Sequence, residues 1–185
     1  MLAYVFWHWP RAEVDRSSYE AALAAFQRSL AAVAPEGFRT AVVFRIESAP
    51  WLGSSRGGYE EWYLVEGSFV LDPLNEAAVS PAVKDLHDRA AHAAAGGAAG
   101  LYRLRAGDPA IGTARFGVWI SKPERTGYEA FYSELRRWTE RRSVSLWGRQ
   151  LVLGPTPEFC LLSAEEQDLP SGLAERASAR EIVWP

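Results

Sequence analysis

The order of elements along these 185 residues predicts an α+β protein. A β-α-β-β-α-β unit comes first and a partial β-α-β repeat follows, giving an antiparallel sheet with helices on one face. Three observations predict it. Strand-like alternation of apolar and polar residues recurs in four short runs before residue 110. Two helical stripes separate those runs. After residue 111 the opening of the chain returns: strand, proline, Ser/Thr-x-Tyr-Glu, amphipathic helix, strand.

Residues 2–9 are aromatic and β-branched, and Pro10 ends the run. Ser17-Ser-Tyr-Glu20 has capping-box spacing, which satisfies two orphan amides at a helix start. Tyr19, Leu23, Phe26, Leu30 and Val33 supply the helical stripe, and Pro35-Glu-Gly37 closes it. In 39–48, Val42, Phe44 and Ile46 alternate with Arg45 and Glu47; a glycine- and serine-rich turn spans Pro50 to Gly58. In 59–66, Trp62 and Leu64 alternate with Glu61 and Tyr63. Beyond Asp72-Pro73 a helix is expected over 80–95, with Val83, Leu86 and Ala90 inward and Gly96-Gly97 as its stop. The fourth strand, 100–106, sets Tyr102 and Leu104 against Arg103 and Arg105. In the repeat, a strand at 115–121 leads to a second capping box, Thr126-Gly-Tyr-Glu129. A helix striped by Tyr128, Phe131, Leu135 and Trp138 follows, then strands at about 150–154 and 158–163, joined by a rigid turn at Gly154-Pro-Thr-Pro-Glu158. The chain thus divides into a first unit (1–110), an abbreviated copy packed on it (111–163), and a tail (164–185) whose Ile182-Val-Trp184 docks back.

Composition narrows the function. Hydrophobic residues make up 48% and aromatic residues 12% of the chain, too much apolar material for a disordered one. No apolar run approaches the roughly 18 residues that cross a bilayer. The first residues read as a strand and lack a basic leader, so no signal peptide is expected. A net charge of -3 argues against a nucleic-acid partner. The one basic cluster, Arg136, Arg137, Arg141 and Arg142, is interleaved with Glu134 and Glu140 and reads as a solvated helix face near a C-terminus. The single cysteine, Cys160, sits in an apolar run and reads as a buried thiol. A cytoplasmic protein is the default.

Strict period-two alternation sorts the strand side chains into two faces. Val5, Trp7, Trp9, Val42, Phe44, Ile46, Trp62, Leu64, Tyr102, Leu104, Phe116, Val118 and Ile120 form the apolar face, expected to meet the helices. Tyr4, Phe6, His8, Arg45, Glu47, Glu61, Tyr63, Arg103, Arg105 and Trp119 form the other. A sheet face that only met water would have little use for Phe6 and Trp119. The simplest cover is a second copy across a two-fold axis, giving a homodimer; the alternative is the duplicated half folding over the first within one chain.

On this element order and duplication the chain, over residues 2–163, resembles the dimeric α+β-barrel superfamily of ferredoxin-like proteins. No residue motif carries the resemblance. Cofactor-independent and heme-degrading monooxygenases belong to that group. The resemblance implies a barrel formed across a dimer, with ligands held between a sheet and its own helices.

Candidate chemistry centres on histidine and tryptophan. His87 flanks the inward stripe of its helix and is expected to look toward Trp7, Trp9, Trp62 and Tyr102, which would wall a flat ligand. There it would act as a general base or orienting group, or as a purely structural histidine. The resemblance also implies a heme reading for His87, although the first strand lacks an evident asparagine. His92 follows His87 by five residues, whereas a metal pair on a helix needs three or four, so no metal site is expected. His8, Tyr63, Arg45 and Arg103 share the opposite face, either as a second candidate site for a carboxylate or enolate or as a dimer face. Strict alternation keeps His8 and His87 in separate sites. The leading expectation is a protein that binds a small hydrophobic or aromatic molecule, oxidising or isomerising it without a bound cofactor. The alternatives are a non-catalytic binding or assembly module and, third, a heme-binding protein.

Overall fold

The first half contributes β1 (Leu2–Pro10), α1 (Arg16–Val33), β2 (Phe38–Ile46), β3 (Gly58–Val65), α2 (Leu71–Ala78), α3 (Lys84–Ala93) and β4 (Ala94–Gly107). The second contributes β5 (Phe116–Ile120), α4 (Tyr128–Thr139), β6 (Val144–Arg149), β7 (Phe159–Ser163) and β8 (Ala174–Trp184). This computed structural model describes residues 1–49, 51–52, 57–141, 143–151, 157–170 and 173–185, with the side chains of 174–176 left out. Arg142 and most of the turn expected around Gly154 lie outside the described residues.

All strand pairs are antiparallel, and the order β1-β3-β2-β8-β5-β7-β6-β4 closes into a barrel. Each half runs in the same order, β4-β1-β3-β2 and β8-β5-β7-β6, and the halves join where β2 meets β8 and β4 meets β6. The sheet that the sequence suggested would come from a second copy is supplied by the second half of the same chain. Closure leaves the sheet without a free edge. No helix among the described residues is long and apolar enough to cross a membrane.

Several local expectations give way to tertiary contacts. Neither capping box forms. Asp15 caps α1 instead, accepting from the Ser18 amide at 3.0 Å and from the Ser17 hydroxyl. Glu20 is thereby free to accept from Arg45 (2.7 Å) and from the Tyr59 hydroxyl (3.0 Å). α4 starts after Gly127 with no side-chain cap. The helix expected over 80–95 is α3, shorter at both ends, with Val83 and Ala90 buried as expected; α2 is an additional helix, formed where the segment around Asp72-Pro73 reads as a loop. Gly96-Gly97 does not stop a helix by a left-handed turn; it lies inside β4, opposite Trp9 and His8. A Cβ on Gly96 would come within 2.6 Å of the Trp9 ring, and one on Gly97 equally close to Phe6. Bulky rings on β1 thus require small residues across the ladder. The strand expected near 150–154 falls mostly outside the described residues, β6 precedes it at Val144–Arg149, and the tail yields β8, which pairs with both β2 and β5.

The alternation sorts residues correctly, but in the first half the two faces are exchanged. Val5, Trp7, Val42, Phe44, Ile46, Trp62, Leu64 and Tyr102 point into the barrel, where they meet Trp119, Trp147, Cys160 and Leu162 from the second half. The mixed face looks outward at α1 and α3. The reason is closure: a barrel has its own interior core, and it takes the more apolar set. β3 is consequently buried along its whole length on both faces. In the second half the expected assignment holds. Val118 and Ile120 pack on Phe131, Leu135 and Trp138 of α4, while Trp119 points inward.

Two charges are sealed inside the barrel. Arg180 of β8 and Glu60 of β3 are both fully buried and paired at 3.0 Å. Glu60 also accepts from the indole N–H groups of Trp7 (2.8 Å) and Trp62. Cys160 lies 3.9 Å from the Arg180 guanidinium, and burial still pushes its thiol well above the usual range. The thiolate is the reactive form. Cys160 is therefore expected to resist a disulfide reagent such as dithionitrobenzoate in the folded protein and to react rapidly once denaturant is added. Fast labelling of native protein would contradict this placement.

Candidate functional site

β1 and β3 lie side by side, with Tyr4 opposite Tyr63, Phe6 opposite Glu61 and His8 opposite Tyr59. Their outward side chains face α1 and α3 across a cavity of about 600 Å³, a volume typical of small-molecule sites. Aromatic rings of Tyr4, Phe6, Tyr19, Phe26 and Tyr63 line it, with leucines and alanines of the helices between them. Asp72 and Asn75 of α2 stand exposed at its edge. The corresponding outer face of the second half is packed directly by α4 and by Leu169 and Leu173 of the β7–β8 connection.

The polar groups of the cavity are concentrated on its sheet side. Glu61 is 3% exposed and His8 1%. Gln27 donates from Nε2 to Glu61 Oε2 (3.1 Å) and to the Tyr63 hydroxyl (2.7 Å), while Tyr63 donates to the same Glu61 oxygen. His8 Nδ1 lies 2.7 Å from the Tyr19 hydroxyl. His8 Nε2 lies 3.3 Å from Glu61 Oε1; the pair is close enough for charge interaction but not aligned as a hydrogen bond, and Nε2 is otherwise unpartnered. Rings flank the imidazole, with Phe6 at 5.1 Å and Tyr59 at 5.6 Å between centroids.

The phenols remain protonated. Burial, and then the charge of Glu61, pushes both Tyr63 and Tyr19 above their usual value. Tyr63 is therefore a donor to Glu61, which suits the ionised form of that carboxyl. With Tyr19 as the donor to Nδ1, the His8 ring would present an N–H from Nε2 on the Glu61 side. The result is a carboxylate with one oxygen held by two donors and the other open beside an imidazole N–H. Such a group can accept a proton from a bound molecule while the N–H steadies the charge left behind. Tyr63→Phe removes one donor from a buried carboxylate, and a loss of about 1.5–3 kcal/mol in urea unfolding is expected; an unchanged midpoint would contradict the bond.

His87 lines the same cavity from α3. Its Nδ1 lies 3.1 Å from Asp88, and its ring meets the edge of Phe26. His8 and His87 thus border one cavity, although the alternation separated them. Exchange of the two faces explains this. The same exchange parts His87 from its expected aromatic wall: Trp7, Trp62 and Tyr102 are inside the barrel, and Trp9 lies over Gly96 at the end of β1. Of the second group, His8 and Tyr63 meet through Glu61. Arg45 instead pairs with Glu20 and Glu181, and Arg103 with Gln150. Glu61, Gln27 and Tyr19 were not singled out as site residues. One signal for Glu61 was available: two adjacent acids, Glu60-Glu61, in an aromatic strand put one carboxylate on each face.

No protein-family model and no curated protein sequence matches the chain. Solved structures do. A putative monooxygenase from Lactobacillus acidophilus NCFM superposes with a TM-score of 0.58 at 10% identity, covering 99% of this chain and 94% of its own. A putative chlorite dismutase, TA0507, superposes with a TM-score of 0.52 at 7% identity, covering 98% and 94%. At such identities the likeness is one of fold. What is shared is a mixed α+β fold on an antiparallel sheet, which in this chain closes into an eight-stranded barrel from its two halves.

Proposed function

We propose that the chain is two ferredoxin-like units fused into one barrel, the second without its second helix, and that the first carries a single small-molecule site. The cavity between β1, β3 and their helices binds a small, largely apolar or aromatic molecule, and Glu61 Oε1 takes a proton from it. His8 donates from Nε2 to the developing oxyanion; Tyr63 and Gln27 hold Glu61, and Tyr19 fixes the tautomer of His8. His87 orients the ligand at the helix side. Proton removal is the first step common to isomerisation of a carbonyl compound and to cofactor-independent oxygenation, and the neighbour named as a monooxygenase is consistent with either. The observation that carries the reading is a buried carboxylate with one open oxygen in a cavity walled largely by aromatic and aliphatic side chains.

A heme, the third expectation, does not suit this cavity. Its two propionates call for cations, whereas the lining residues among those described include Glu61 and Asp72 and neither lysine nor arginine. The homodimer expected from the covered face loses that support, because the chain covers the face itself.

The test needs no natural substrate. 2-Tetralone is neutral, aromatic and enolisable, and deuterium entering beside its carbonyl in heavy water is read by NMR. Catalysed exchange above the buffer rate is expected with the native protein. Binding without exchange favours the non-catalytic alternative; neither binding nor exchange contradicts the site.

A further inference from the structure

Charge limits what this cavity can hold. Among the described residues its lining carries two carboxylates, Glu61 deep in the cavity and Asp72 at the edge, with neither lysine nor arginine. Arg45, on the neighbouring strand, is committed to Glu20 and Glu181. The nearest side chain to the free oxygen of Glu61 is the imidazole of His8, and no lysine or arginine among the described lining residues is paired with this carboxyl. Its open atom is Glu61 Oε1, whose neighbour His8 Nε2 is 3.3 Å away and misaligned. Gln27, which donates to the other oxygen of Glu61, leaves its own buried Oε1 without a donor. The rings of Tyr4, Phe6, Tyr19, Phe26 and Tyr63 complete the surroundings, and aromatic rings attract desolvated cations.

We propose that the ligand is an amine on an apolar or aromatic body, bound as its ammonium with an N–H donating to Glu61 Oε1 among these rings. An anion with the same body would meet two carboxylates and, among the described lining residues, neither lysine nor arginine to pair with, and an unpaired charge in a desolvated space is costly. The inference rests on this cavity being the binding site and does not depend on proton transfer occurring there.

Three probes that differ in one group test it: naphthylmethylamine, naphthylmethanol and naphthoate, each titrated calorimetrically into the native protein. The amine is expected to bind about tenfold or more tightly than the alcohol, as a charge-assisted hydrogen bond would give, and naphthoate more weakly than both. Glu61→Gln, which keeps the side-chain shape, is expected to bring the amine down to the affinity of the alcohol. Asp72→Asn, at an exposed position, is expected to reduce the preference less, and it serves if the buried variant does not fold. Naphthoate binding as tightly as the amine overturns the proposal. So does an alcohol that binds as well as the amine, although that result leaves the cavity standing as the site. An amine preference that survives in folded Glu61→Gln overturns the role of Glu61. If none of the three binds, the cavity reading falls with the proposal.

Discussion

Replacing Arg180 by methionine is expected to destabilise the protein by about 3–5 kcal/mol, the cost of leaving a buried carboxylate without its partner. Urea unfolding at neutral pH reads this directly, and a change below about 1 kcal/mol, within the usual range for surface positions, would contradict the buried pair. The guanidinium reaches Glu60 because β5 presents Gly117 beneath it. A Cβ there would fall 1.4 Å from Arg180 Nη1, so Gly117→Ala is expected to disturb the same pair. A simple buried ion pair can often be exchanged for two apolar residues without loss. This one differs, because Glu60 also accepts from Trp7 and Trp62. The double variant Glu60→Leu/Arg180→Met removes the unpaired charge but leaves two indole N–H groups buried without an acceptor, each costing about 1–3 kcal/mol. It is therefore expected to be destabilised by less than the sum of the two single variants, yet well short of native stability. Glu60 lies on β3 and Arg180 on β8, so the pair also ties the two halves of the barrel together.

Glu61→Gln is expected to slow catalysed deuterium entry into 2-tetralone by about 10²–10⁴-fold, the range contributed by a positioned general base. Glutamine keeps the shape of the side chain and can still accept at its oxygen, but it cannot take a proton. A loss of exchange with retained 2-tetralone binding assigns the proton to this carboxyl. His8→Ala is expected to cost less, because it removes the group that steadies the developing charge rather than the acceptor. Full exchange in a folded Glu61→Gln protein would move the chemistry elsewhere in the cavity, to His87 of α3 or Asp72 of α2.

Much of this arrangement was legible in the sequence because local periodicity is strong. The strand positions of Val42, Phe44, Ile46, Trp62 and Leu64 follow period two, and the stripes of α1 and α4 follow helical spacing. Tyr19, Leu23, Phe26 and Leu30 of α1 are all buried, as are Phe131, Leu135 and Trp138 of α4. What periodicity cannot supply is which face is inside. In an open sheet the apolar set meets the helices. In a closed barrel it fills the interior, and the mixed set, with His8, Glu61 and Tyr63, meets the helices. That one inversion moved the candidate site from the tryptophans to the acid and its neighbours. The capping boxes failed for a different reason: Glu20 finds stronger partners in Arg45 and Tyr59 than in a backbone amide. Strand β8 was hidden because its inward residue at the decisive position is an arginine, which looks like surface until its partner on β3 is known.

The tryptophans divide accordingly. Trp7, Trp62, Trp119 and Trp147 are core residues of the barrel, with Trp51 packed against them. They account for the fold rather than for the ligand. The cavity on the other side of β1 and β3 accounts for the function proposed here.

A crystal structure of the protein grown with 2-tetralone tests that division most directly. The result expected is ligand between β1, β3 and the helices α1 and α3, its carbonyl oxygen directed at His8 Nε2, the adjacent CH2 at Glu61 Oε1, and its ring among Tyr4, Phe26 and Tyr63. Ligand lodged instead among Trp7, Trp119 and Trp147 inside the barrel, with the outer cavity left to solvent, would contradict the account.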